Sequence, residues 1–168
     1  MLRPQDILLV LKIKSSPNRP TYADLGRSLG ISKSQAYSAH RRAQKSGLID
    51  PEGMIRQRAL AEVLVYGVKY FLPAEQAGLS RGIPTAYAAE PLLGTFNGSD
   101  EPVPVWAHPE GTVRGISYSP IYKSAPVAAL ADPVLYEWLA LLDAIRIGRA
   151  RESKLAKEII CERLGVAI

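Results

Sequence analysis

The stretch Thr21–Ile49, TYADLGRSLGISKSQAYSAHRRAQKSGLI, constrains the fold more than any other part of the chain. It reads as two short helices with a tight turn between them. Thr21 is a good N-cap, because its hydroxyl can accept from a free amide of the first turn, and Asp24 places acid where the helix dipole favours it. Leu25 and Leu29, at i and i+4, give this helix one apolar face. Gly30 stands where the helix must stop, in a left-handed conformation that glycine adopts most easily. Gly26 lets the next helix pack closely, and Ile31 plugs the space between the two. Ser32 caps a second helix, Lys33 to Lys45, whose inward stripe is Ala36, Ala39 and Ala43 with His40 beside them.

At about 100° per residue, Ser34, Tyr37, Ser38, Arg41 and Lys45 point the other way, flanked by Gln35 and Arg42. This face carries almost no acid, so it can donate to phosphates and to base edges in a major groove. Lys33, Arg41, Arg42 and Lys45 would supply the salt-dependent attraction, and Ser34, Gln35, Tyr37 and Ser38 would read bases, with Ser32 at the helix start. After Gly47-Leu48-Ile49, the turn Asp50-Pro51-Glu52-Gly53 and the segment Met54-Ile55-Arg56 have the shape of a short β-wing. Its return strand is basic and brings in Arg56.

Charge is distributed in the same sense. Residues 1–72 hold 12 Lys/Arg against 5 Asp/Glu, residues 73–145 hold 3 against 8, and residues 146–168 hold 6 against 3. A head of net +7 on a more acidic body is the footprint of a nucleic-acid-binding head. Apolar residues make up 47% of the 168, enough to bury real cores in one large domain or two small ones. We divide the chain into a head, 1–58, and a body, 59–168.

Pro4 to Lys14 reads as a first helix, with Pro4 in its first turn and Ile7, Leu8 and Leu11 as core. The prolines of SSPNRP end it. Arg58 to Leu72, RALAEVLVYGVKYFL, is a buried helix at its start; Val68–Leu72 is its last turn or a short strand. From 73 to 131, proline and glycine are frequent and helical periodicity vanishes. Val103–His108 and Thr112–Tyr118 alternate around Pro109-Glu110-Gly111 and predict a β-hairpin. Gly94–Pro102 is a polar loop. Ser80–Thr85 is either an anion-holding turn or a plain turn in which Arg81 pairs with a nearby acid. Asp132-Pro133 opens a helix whose apolar face is Leu135, Trp138, Leu139 and Leu142, with Tyr136 and Ile145 widening it. Gly148 breaks or bends the run before Leu155, Ile159, Ile160 and Leu164. The fold class expected is α+β, mainly α: an N-terminal winged helix-turn-helix, a central Pro/Gly-rich segment with a hairpin, and C-terminal helices.

LGISKSQAYSAHRRAQKSGLI resembles the helix-turn-helix and wing entrance of winged-helix regulators of the MarR type. The shared positions are Leu25, Leu29, Gly30, Ile31, Ser32, Gly47, Leu48 and Ile49, and the likeness covers residues 5–58. It departs from the family in the alanines of the inward stripe and in the very short wing. The segments FLPAEQAGLSRGIPTAYAAEPL, HPEGTVRGISYSP and DAIRIGRARESKLA are similar to uncharacterised bacterial proteins with a winged helix at the front, some of them beside nucleotidyltransferase-like or toxin–antitoxin partners. Together these resemblances imply a dimeric transcriptional regulator that binds double-stranded DNA, or an antitoxin-like subunit that docks on a protein partner.

Other features admit plainer readings. Arg146, Arg149, Arg151 and Lys154 form either a solvated face or a second basic patch for nucleic acid or an acidic protein. The apolar runs 135–145 and 155–164 are either core or a dimer seam. His40 is a packed or phosphate-bonding histidine, and His108 a surface one. Cys161 has no partner histidine, no Cys/His cluster suits zinc, and no Walker-type loop or G-x-S-x-G occurs, so neither enzyme chemistry, metal nor cofactor is expected. The apolar run Ile7–Leu11 with Ile13 is too short and too charged for a signal peptide or membrane span, which predicts a soluble, cytoplasmic protein.

Overall fold

A computed structural model describes residues 1–96 and 101–168. The fold is α+β and mainly helical, with a small mixed sheet of three strands. Of the polar loop at 94–102, residues 97–100 lie outside the described residues.

Three helices open the chain: α1 (Pro4–Ser15), α2 (Tyr22–Leu29) and α3 (Lys33–Lys45). Thr21 caps α2 as expected, its hydroxyl accepting from the Asp24 amide while the Asp24 carboxylate accepts from Thr21. Gly30 ends α2 in the left-handed region at φ 64°. Gly26 packs against the turn itself: a Cβ there would lie 2.8 Å from the Ile31 carbonyl oxygen. After α3, Ile49 and Ile55 form a single antiparallel bridge around the turn at 50–53.

The next helix runs as α4 (Gln57–Glu62), a π-helical turn (Val63–Gly67) and α5 (Val68–Phe71). Its last residues are therefore helix and not strand. It is buried along Leu60, Leu64 and Val68, while Tyr66 and Tyr70 stand in solvent.

The hairpin prediction fails. The segment 76–84, which carries the candidate anion-holding turn, is a strand, β1 (Gln76–Pro84), and both β2 (Pro104–Ala107) and β3 (Val113–Tyr118) run antiparallel to it. β2 and β3 are consequently parallel to each other and meet at Pro104–Ile116 and Val105–Ser117, closing a three-stranded barrel. Glycine makes the closure possible. A Cβ at Gly82 would fall 2.2 Å from the Trp106 carbonyl oxygen, and one at Gly115 would fall 2.0 Å from that of Val103. Those glycines signal close strand approach; from sequence, Gly82 is expected to fix a turn, and Gly115 lies within a stretch that reads as strand. Arg81 lies opposite Arg114 across the strands and pairs with no acid among the described residues.

A short helix that lacks sequence periodicity, α6 (Ala125–Ala131), leads to α7 (Pro133–Ile147), which Gly148 separates from α8 (Ala150–Leu164). Asp132 caps α7, accepting from the Val134 and Leu135 amides. The face Leu135, Trp138, Leu139, Leu142 and Ile145 is covered by the chain's own core, as are Ile160 and Leu164, while Leu155 and Ile159 are only partly buried.

One apolar cluster runs from α1 through to α8. Two polar links tie its first part to its last. Lys12 on α1 meets Asp132 at 2.5 Å, and the Ser124 hydroxyl donates to the Leu29 carbonyl. Burial alone would raise the Asp132 carboxyl. The Lys12 hydrogen bond and charge, with the two helix amides, hold it below its ordinary value.

The deepest polar feature joins barrel to helix. Asp143, completely buried, accepts from Thr85 Oγ1 at 2.8 Å, Trp106 Nε1 at 2.7 Å and Arg146 Nη1 at 2.7 Å. Burial pushes its carboxyl up, against the opposing charge and donors. Nearby, the Tyr136 hydroxyl donates to the Pro84 carbonyl, and burial raises that phenol to about 12.

Candidate nucleic-acid interface

The expected interface is built on α3. Ser32 caps it in a reciprocal box: the Ser32 hydroxyl accepts from the Gln35 amide at 3.0 Å, and the Gln35 side-chain oxygen accepts from the Ser32 amide at 2.8 Å. Gln35 is exposed, but its acceptor is committed locally, leaving only its amide nitrogen to read a base. Ala36, Ala39 and Ala43 are fully buried, and the small side chains let α3 lie close on α1 and α2.

On the opposite face Lys33, Ser34, Tyr37, Arg41 and Lys45 are exposed, with Ser38 half-buried. Lys33, Lys45 and Arg56 form no ion pair among the described residues. Arg41 donates to Gln44 at 2.9 Å, and Gln44 in turn donates to the Asp50 carbonyl at 3.0 Å. That relay fixes the turn at 50–53 relative to α3. Between them lies a shallow concavity of about 500 Å³ whose cations are Arg41, Lys45 and Arg56. Lys33 and Ser34 stand at the other end of the helix, about 18 Å away at 1.5 Å per residue.

Tyr37 is half exposed and oriented from behind. Its ring meets Tyr22 edge-on at 5.3 Å, and the Tyr22 hydroxyl hydrogen-bonds His40 Nδ1 at 3.2 Å. His40 is packed, with 7% of its surface exposed. Burial, followed by the positive charges of Arg19 and Arg41, lowers its pKa from the ordinary value.

Arg42 is a correction. It turns inward, and its guanidinium grips the buried Asp6 of α1 through Nε at 2.9 Å and Nη2 at 2.7 Å. It is unavailable to a phosphate. The reason is positional: Arg42 shares a side of α3 with Ala39 and Ala43, facing α1, where Asp6 would otherwise be an unpaired buried charge.

Arg19 is the residue that sequence reasoning missed. Its guanidinium lies over the turn at 50–53, so that a Cβ on Gly53 would come within 1.8 Å of Nη2. It forms no ion pair among the described residues and adds a cation beside Arg41 and His40. The available signal was its setting: in Pro17-Asn18-Arg19-Pro20, two prolines stiffen the chain around an isolated cation.

The second basic patch loses Arg146, while Arg149, Arg151 and Lys154 stay at the surface. Arg146 is buried and spends its donors on Asp143 and on the carbonyls of Leu72, Pro73 and Ser119. Arg149 reaches Glu101 at 2.5 Å, and Lys154 approaches Glu158 at 3.9 Å, leaving Arg151 exposed. Arg149 and Arg151 line a cleft of about 830 Å³ with Tyr87, Tyr118, Glu101 and Glu152, where acids offset them. His108 is half-buried, and its Nδ1 accepts from the Glu110 amide.

No group of His, Cys, Asp or Glu among the described residues could hold a metal ion, and no helix there is long and apolar enough to cross a membrane. Comparison with protein families, with curated proteins and with solved structures finds no match to this chain. A functional reading therefore stands on the residues and their geometry.

Proposed function

We propose that the protein is a sequence-specific DNA-binding regulator whose head is a winged helix-turn-helix of the MarR type. In this reading α3 enters the major groove, and the short turn at 50–53 serves as the wing. The observation that carries it is the acid-free outer face of α3. Lys33, Arg41 and Lys45, joined by Arg56 and Arg19, leave five cations without a carboxylate partner among the described residues. Surface cations normally lie among acids; a face stripped of them is costly to hold together and suited to a polyanion. Ser34, Tyr37 and Ser38 are left to contact base edges.

The test is affinity for duplex DNA against salt. Five phosphate contacts predict a slope of log K against log salt of about −4 to −5. A flat response from low to moderate salt would refute the reading. A homodimer follows from the way such heads read paired half-sites. Its seam has to use surface other than the covered face of α7, and the mass in solution checks it.

A second reading, an antitoxin-like subunit that docks on a protein partner, is favoured by one observation. Val127, Leu130 and Val134 are each about half exposed in one short stretch whose single charged residue, Asp132, is paired with Lys12. Co-purification of a stoichiometric partner by a protein without DNA affinity would select it.

A further inference from the structure

Residues 73–145 carry an excess of acid, and their only basic residues are Arg81, Arg114 and Lys123. The fold sets two of these three directly opposite each other. Arg81 on β1 and Arg114 on β3 are register partners in an antiparallel pair, so both side chains leave the same face of the barrel with Cβ atoms about 5 Å apart. Both are exposed. Neither forms an ion pair or a side-chain hydrogen bond with any described residue.

Like charges directly opposite destabilise a sheet. No described residue offsets this pair, although the segment holds enough carboxylates to do so. Glu101, Asp132, Glu137 and Asp143 are all engaged elsewhere. The backbone under the two arginines is also rigid. Gly82 follows Arg81 and Gly115 follows Arg114, and both are the sites where strands approach too closely for a Cβ. The His108 amide donates to the Arg81 carbonyl and fixes that strand from the β2 side. The result is two guanidinium forks on a stiff platform, held side by side with no partner among the described residues.

We infer that Arg81 and Arg114 form a second phosphate-binding point, through which the body takes hold of the backbone of duplex DNA. This rests on the DNA-binding reading proposed above. A single carboxylate is satisfied by one guanidinium. Two planar forks side by side suit a ligand with repeated anionic oxygens, as successive phosphodiesters have, and guanidinium is the cation that bonds phosphate in two-pronged fashion. The contact carries no sequence information. It fixes the body's orientation on the DNA and contributes to affinity through released counterions.

The experiment compares the full-length chain with Arg81→Gln/Arg114→Gln and with Arg41→Gln/Lys45→Gln, on a long mixed-sequence duplex across a range of salt. If the inference holds, the barrel variant lowers the magnitude of the salt slope by about 2, at 0.9 per phosphate. Its melting temperature stays level or rises, since a like-charge pair has been removed. Arg81→Lys/Arg114→Lys recovers most of the slope. A barrel variant with the wild-type slope, beside an α3 variant whose slope drops, overturns the inference and leaves the DNA reading standing. A barrel variant that melts lower shows the arginines to be structural and also overturns it. Absence of salt-dependent binding in the unmodified chain removes both.

Discussion

Along α3 the cations Lys33, Arg41 and Lys45 face solvent with no carboxylate beside them, whereas at the α7–α8 junction Arg146 is buried on Asp143 and Arg149 reaches Glu101. The two stretches look alike in sequence: short, helical and rich in arginine. What separates them is acid at helical spacing. Asp143 stands three residues before Arg146, and Glu158 four after Lys154, so these cations find partners on their own helix. From Leu25 to Ile49 there is no acid at all. Without acids at i±3 or i±4, Lys33 and Lys45 form no ion pair among the described residues, and the one α3 cation that is neutralised, Arg42, needs a carboxylate 36 positions away.

The largest expected effect tests the junction. Asp143→Ala leaves the Arg146 guanidinium buried without its counter-charge and orphans Thr85 and Trp106. Breaking a buried pair in this way costs about 3–5 kcal/mol, a large part of the stability of an ordinary domain. Urea unfolding should show the midpoint falling by that amount with an unchanged slope. A loss below about 1 kcal/mol, the level of a surface pair, would break the comparison, because the junction would then be as free as α3.

Next in size is a contrast within α3 itself. Arg42→Gln strands the buried Asp6 carboxylate and should destabilise by about 2–3 kcal/mol, the price of an unsatisfied buried charge with one remaining amide donor. Arg41→Gln, one residue away, should leave stability within about 0.5 kcal/mol, as surface changes do, while lowering the salt slope by about 1. Thermal melts and DNA titrations of the two variants separate the roles. If both variants lose DNA affinity at unchanged stability, the inward assignment of Arg42 is wrong.

Arg42 also shows where sequence stops being legible. The helices, their caps and the left-handed Gly30 follow from local rules, because a cap or a turn is decided within four or five residues. The direction of Arg42 depends on Asp6, 36 positions away. Arg146 depends on carbonyls that arrive from the ends of α5 and β3. The barrel was misread for a related reason. Gly82 and Gly111 look like turn formers locally, and only the pairing of β1 with both later strands turns them into points of contact. β1 itself is half exposed along its length and carries no clean alternation, and α6, rich in alanine and opened by a proline, lacks a periodic face. Acid-free spacing on α3 was visible from the start, but Arg19 was not. Its place over Gly53 is set by the path of the Pro17–Pro20 linker, which no periodicity records.

The smallest effect refines the α3 side. His40 is packed against Tyr22 beneath the basic face, and burial together with Arg19 and Arg41 lowers its pKa below the ordinary 6.5. The folded protein therefore binds a proton at this site less readily than the unfolded chain does. Between the lowered value and 6.5 the unfolded state holds more protons, so stability rises with pH through that window and is complete above it. Unfolding followed from pH 7 downward should show stability declining below about 6.5, and His40→Gln should flatten that part of the profile without touching the decline at more acidic pH that belongs to Asp132. Arg19→Gln should flatten it partly, because one of the repelling charges is gone. A profile through pH 6.5 that Arg19→Gln leaves unchanged would mean that Arg19 does not act on the α3 face, and the cation count on that face would fall by one.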